Sequence, residues 1–138
     1  MREEDIDAVL AIERTSFSTP WTREHFRHEI DAPHSFPLVL ETGGRVCAYA
    51  CMTSLFEVAQ ILDIAVAPER RGRGLARLLL EHAVQLAGEK GAEVLELEVR
   101  STNDAAIGLY ESFGFLRTGI RARYYDGIDD AVLMEKHL

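Results

Sequence analysis

The residues best suited to chemistry sit mid-chain, in Ile64-Ala65-Val66-Ala67-Pro68-Glu69-Arg70-Arg71-Gly72-Arg73-Gly74-Leu75-Ala76-Arg77. An apolar, strand-like run stops at Pro68, glycines alternate with arginines, and a helix-forming run begins at Leu75. A strand that turns into a helix through glycines leaves backbone N–H groups without partners and aims them at one spot, where the helix dipole adds partial positive charge. A pyrophosphate suits that spot. Gly72 and Gly74 would let the backbone approach the phosphates, with Arg71, Arg73 and Arg77 adding charge. Two other phosphate motifs do not fit, because the Gly-Lys-Ser/Thr of a P-loop and the ribose-binding acid of a dinucleotide fold are both missing. The plain alternative is a turn flanked by solvated arginines.

A second group lies downstream. From Val94 to Val99, Leu95, Leu97 and Val99 alternate with Glu96, Glu98 and Arg100, which puts both carboxylates on the polar face of a strand. Either is a solvated surface acid or a proton acceptor. Asn103 can cap a short helix running through Ser112, on which Tyr110 is either a core aromatic beside Leu109 and Phe113 or a phenol available for proton transfer.

Other candidates are weaker. Cys47 and Cys51 are four apart in a strand-like run, about 13 Å at strand rise, too far for a disulfide; they would share a metal only on a helix, which their neighbours do not indicate. His25 and His28 lie three apart on a predicted helix without an evident third ligand, so no metal is expected. The Arg121, Arg123, Tyr124, Tyr125 cluster reads as nucleic-acid binding or as the wall of a substrate groove, and the acidity of the chain favours the groove.

These residues need a scaffold. Ile6, Val9, Leu10 and Phe17 predict a helix over residues 4–17, and Thr22 caps a second to about Ile30, with Trp21 and Phe26 as anchors. Strand-like runs cover Phe36 to Thr42, Arg45 to Leu55 and Val58 to Val66, the first two joined by a Gly43-Gly44 hairpin turn. Leu75, Leu78, Leu79, His82, Ala83 and Leu86 form a helical stripe ending near Lys90-Gly91. After the Glu98 strand and the Asn103 helix, runs at Phe115 to Arg123 and Asp130 to Lys136 predict two last strands. The order implies an α/β fold on one mixed, mostly antiparallel sheet flanked by helices, as a single domain over residues 1–138.

Arg71-Gly72-Arg73-Gly74-Leu75-Ala76, after its strand and Val-x-Pro turn, resembles the Arg/Gln-x-x-Gly-x-Gly/Ala signature of the GNAT family of N-acetyltransferases. Leu97 through Phe115, together with Pro20-Trp21 and Tyr124-Tyr125, resembles the RimI group within it, whose enzymes acetylate protein N-termini, typically the N-terminal alanine of small-subunit ribosomal protein eighteen. The resemblance implies the acyl-CoA N-acyltransferase fold and acetyl-CoA as cosubstrate. It implies that amides of the Arg71–Arg77 loop hold the pyrophosphate, that Ile64, Ala65 and Val66 pair with the pantetheine arm, and that Asn103 contacts that arm as well as capping its helix. It further implies Glu98 as general base through water and Tyr110 as general acid to the CoA sulfur. The family's usual first strand would precede Arg2–Asp5, so the expectation is either a sheet without that edge strand or a sequence whose given start falls after it.

Acetyl transfer from a thioester to an amine needs a neutral amine, a donor for the developing oxyanion and a proton for the thiolate. A backbone N–H near Val66 is the expected oxyanion donor. An α-amine, with pKa about 8, is cheaper to present neutral at pH 7 than a lysine at about 10.4, by roughly 3 kcal/mol. A protein N-terminus is therefore the expected acceptor.

Composition is consistent with this. The chain has 138 residues, with 15 Lys and Arg against 23 Asp and Glu, a net charge of -8 that disfavours nucleic acid and suits a basic partner such as a ribosomal protein tail. No long apolar run or leader predicts a membrane partner, so a cytoplasmic location is expected. The sequence is silent on oligomeric state. Two readings stay open beside N-terminal acetylation: acetylation of lysine or a small amine, and a non-catalytic acetyl-CoA-binding module.

Overall fold

The computed structural model describes residues 1–138. A 3-10 turn at Glu3–Asp5 leads into helix α1 (Ile6–Ser16), followed by α2 (Arg23–Asp31), strands β1 (Ser35–Thr42), β2 (Arg45–Leu55) and β3 (Val58–Val66), helix α3 (Leu75–Glu89), strand β4 (Val94–Arg100), helix α4 (Asp104–Ser112), and strands β5 (Leu116–Tyr125) and β6 (Asp129–His137). The strands form one sheet in the order β1-β2-β3-β4-β6-β5. Only the β3–β4 pair is parallel, and α3 makes its crossover. No strand lies outside β1, where the Met1 amino group donates to the Pro37 carbonyl at 2.9 Å. No helix is long and apolar enough to cross a membrane.

Local chemistry explains most boundaries. The Thr22 hydroxyl accepts from the His25 N–H at 3.2 Å and starts α2, while Asn103 accepts from the Ala106 N–H at 3.2 Å and starts α4. Gly43 and Gly44 both take positive φ, 60° and 78°, as a tight turn between β1 and β2 requires.

Each sheet face carries its own core. On one face, α3 and α4 cover Met52, Ile61, Leu95, Leu97 and Val99, which pack with Leu80, Ala83, Ile107 and Tyr110. On the other, α1 and α2 bring Ile6, Val9, Leu10 and Phe26 against Tyr49, Cys51 and Ala65. The buried face of α3 is Leu79, Leu80, Ala83 and Ala87, so the sequence stripe is rotated: Leu78 and His82 face outward. Cys47 and Cys51 are free, buried thiols on extended β2.

The feature that organises the site is a bulge. β2 and β3 pair Cys51 with Asp63 but Met52 with Ile61, so Leu62 is an extra residue on β3. An extra residue inverts the alternation beyond it. Ala59 and Ile61 therefore face α3, whereas Asp63 and Ala65 face α1.

Candidate active site

β3 and β4 separate just past the bulge. Their parallel pairing runs from Val58–Val94 to Ile61–Leu97 and stops, although β3 continues to Val66 and β4 to Arg100. On the β2 side, Ala67 N–H donates to the Cys47 carbonyl at 2.8 Å, which fixes the phase of the antiparallel ladder. Tyr49–Ala65 is then a hydrogen-bonded pair, while Ile64 and Val66 turn their N–H and C=O groups toward the opening. The Val66 carbonyl is engaged by Arg71 Nε at 3.2 Å. Its N–H faces the gap as a free donor.

The loop after β3 provides a second row of donors. Gly72 and Gly74 both have φ of 78°, a left-handed conformation that glycine adopts without strain. None of the amides from Gly72 to Arg77 donates within the protein, and the first donor of α3 is Leu78, to Gly74 at 3.1 Å. These amides at a helix N-terminus fit the pyrophosphate of a CoA ester. The arginines are not gathered around them: Arg71 also reaches Ser16 Oγ at 3.1 Å, and Arg77 donates to Ser112 at 3.0 Å and lies over the Phe113 ring at 5.0 Å. Arg73 alone is fully outside such contacts, on the exposed loop beside Leu75 and Ala76.

Glu98 is the first outward-facing residue of β4 beyond the separation. Glu96, by contrast, lies within the closed ladder opposite Gln60. Glu98 faces away from the α3 side, with its side chain 19% exposed, and Oε1 pairs with Arg121 Nη2 at 3.2 Å. Arg121 therefore belongs to an acid–base pair rather than to a basic patch. Its guanidinium also lies 5.4 Å from the Tyr124 ring. Tyr125 is half-buried, and its phenol is pushed up to about 12, first by desolvation and then by the nearby Glu98 charge, so it remains a proton-bearing donor at neutral pH.

Tyr110 approaches from the other face, on α4. It is buried, its ring centroid is 5.8 Å from that of Phe115, and its hydroxyl makes no hydrogen bond within the protein. Desolvation, with smaller contributions from Tyr125 and Asp63, raises its pKa.

The sequence reading missed a buried acid cluster beside the gap. Tyr49 donates a hydrogen bond to Glu13, which is 1% exposed, and the other Glu13 oxygen accepts from the Trp21 N–H at 3.2 Å. Asp63 joins them with one oxygen buried and unpartnered. Burial and hydrogen bonding with Glu13 hold the Asp63 carboxyl well above the usual range. Glu13 was detectable, because it falls on the α1 stripe four residues after Val9; Asp63 was not, because strict alternation groups it with Ile61. His25 stacks on Trp21 at 3.7 Å and pairs with Glu29 at 3.6 Å, while His28 is exposed.

Comparison with known proteins agrees with this architecture. Residues 6–115 match the acetyltransferase (GNAT) family. A Bacillus subtilis protein named as a candidate ribosomal protein bS18-alanine N-acetyltransferase is 45% identical over 97% of this chain and 90% of its own length. The ribosomal protein bS18-alanine N-acetyltransferase of Escherichia coli K12 is 36% identical over 94% of this chain and 89% of its own. The crystal structure of the Escherichia coli ribosomal-protein-S18-alanine N-acetyltransferase superposes with a TM-score of 0.92 at 34% identity, over 99% of this chain and 90% of that one. On its residues, its strand geometry and these relatives, the chain belongs to the GNAT family of acetyltransferases.

Proposed function

We propose that this protein transfers the acetyl group of acetyl-CoA to the α-amine of a protein N-terminus, with the N-terminal alanine of ribosomal protein bS18 as its acceptor. The observation that carries the reading is the separation of β3 from β4, with unengaged amides at its rim and a carboxylate and a phenol on opposite faces. The relatives named for bS18-alanine acetylation, matched over nearly the whole chain, support the acceptor.

Acetyl-CoA supplies an activated thioester and a thiolate leaving group. Amides from Gly72 to Arg77 hold its pyrophosphate, and Arg73 adds charge from the exposed loop. Ile64 and Val66 offer main-chain groups along the opening to the amides of the pantetheine arm, with Ala65 keeping the strand attached to β2 and Asn103 bordering the far side. The Val66 N–H stabilises the negative charge that develops on the carbonyl oxygen as the amine attacks.

Glu98 takes the proton from the incoming ammonium through a water, on the α1 side of the gap. Tyr110 returns a proton to sulfur on the α4 side. Its raised pKa makes that transfer uphill from the ground state, but the same desolvation raises the proton affinity of a thiolate formed there. The phenol therefore stays protonated until the thiolate appears.

Mass spectrometry on two peptides tests the function: one with a free N-terminal alanine, the other N-terminally blocked and bearing lysine. Acetylation of the α-amine alone is expected. Acetylation of lysine instead, or of neither while acetyl-CoA binds, would overturn it.

A further inference from the structure

Two segments meet at Arg100, two residues after Glu98 on β4: the α1–α2 connection, which carries Pro20 and Trp21 and brings Ser18 within 3.5 Å of its guanidinium, and the β5–β6 turn, which follows Tyr124 and Tyr125 and brings Asp126 within 2.8 Å. Between them runs a side-chain bridge. Ser18 Oγ donates to Asp126 Oδ2 at 2.7 Å, and Thr19 Oγ1 reaches Asp126 Oδ1 at 3.4 Å, linking positions more than one hundred residues apart in sequence. Asp126 sits at a left-handed position of the turn, φ 56°, next to Gly127 at φ 67°, and Ile128 N–H closes the turn onto the Tyr125 carbonyl at 3.0 Å.

Arg100 holds the middle of this bridge. It comes two residues after Glu98 and so leaves β4 on the same face. One end of its guanidinium contacts Asp126 Oδ2 at 2.8 Å, the other Asp129 Oδ2 at 2.6 Å, and its plane covers the Tyr125 ring at 4.9 Å. A planar fork engaging two carboxylates and an aromatic face imposes geometry that a lysine point charge would not.

We propose that Arg100, acting through Asp126 and Ser18, is the positioning residue that fixes the two walls of the acceptor slot relative to each other and so sets affinity for the acceptor peptide. The groups are partly exposed, so the bridge adds little to global stability. Its effect falls on the slot, where small displacements of Tyr125 and the α1–α2 connection change the fit of an extended N-terminus. The pyrophosphate loop lies outside the bridge. The inference rests on the acceptor entering on the Glu98 face.

Steady-state kinetics of R100Q, D126N and S18A separates these roles. R100Q is expected to raise the peptide KM at least tenfold, with kcat within threefold and the acetyl-CoA KM within twofold of wild type. D126N keeps an oxygen for Ser18 and loses the ion pair, so a smaller rise is expected. S18A combined with R100Q should add less than the product of the single effects, because both break one bridge. An unchanged peptide KM in R100Q and D126N, a parallel rise in the acetyl-CoA KM, or fully multiplicative effects would overturn the proposal. If R100Q fails to fold, D126N and S18A decide alone. Failure of the functional reading looks different: wild type would then acetylate no free N-terminus at all.

Discussion

Glu98 and Tyr110 lie on opposite faces of the sheet, Glu98 on β4 just past the point where β3 leaves it, and Tyr110 on α4 in the core that holds Ile61, Leu97 and Val99. A thioester in that gap would have its carbonyl carbon open to an amine on one side and its sulfur near a phenol on the other. In the proposed mechanism the two proton transfers therefore fall to different residues. Glu98→Gln and Tyr110→Phe should each lower turnover at least tenfold while leaving the acetyl-CoA Kd within twofold, by calorimetry alongside initial rates. Full activity in both variants would remove them from the mechanism.

The Gly72–Gly74 loop, proposed to hold the pyrophosphate, makes a backbone prediction. Gly74 precedes α3 with φ of 78°, and a Cβ there would meet open space, so substitution cost comes from conformation rather than collision. Gly74→Ala should cost about 1–2 kcal/mol of stability and weaken acetyl-CoA binding, whereas Gly74→Asn should recover part of both, since asparagine tolerates this conformation better. Thermal unfolding and equilibrium binding on the pair test this. Equal loss in the two variants would point to side-chain crowding instead.

Much of the scaffold is legible because its signals are local. Gly43-Gly44, Thr22 and Asn103 state their turn and caps directly, and Leu95, Leu97 and Val99 state their strand. The Arg71–Arg77 segment declares its unengaged amides through glycine spacing. What the sequence conceals is long-range. The Leu62 bulge has no local signal, yet it decides that Asp63 faces Glu13. The rotated face of α3 depends on how the helix leans on β2 and β3. Ser18, Arg100 and Asp126 look like ordinary surface residues until the fold brings three distant segments together.

Asn103 connects local and distant effects. Its side chain closes the first turn of α4, and α4 carries Tyr110 into the α3-side core. Asn103→Ala should destabilise by about 1 kcal/mol. Asn103→Asp retains an accepting oxygen and should restore stability. Restored stability without restored turnover would indicate that the asparagine amide itself is needed beside the cosubstrate, a distinction that unfolding and kinetic measurements on both variants can make.

The buried Asp63 carboxyl predicts how stability depends on pH. Its folded-state pKa is raised, first by burial and then by the hydrogen bond with Glu13, while in the unfolded chain it titrates near the ordinary carboxylate value of about 3.9. Between those values the folded protein binds a proton that the unfolded chain has released, so this group's contribution is greatest at low pH and falls as pH rises. The slope is at most about 1.4 kcal/mol per pH unit and flattens above the folded pKa. Asp63→Asn keeps the shape and a donor for Glu13 but cannot ionise. Urea unfolding of both proteins at intervals from pH 5 to pH 9 should therefore show wild type losing stability relative to Asp63→Asn as pH increases. A constant difference across that range would mean that Asp63 is ionised throughout, with its charge compensated by a group other than Glu13.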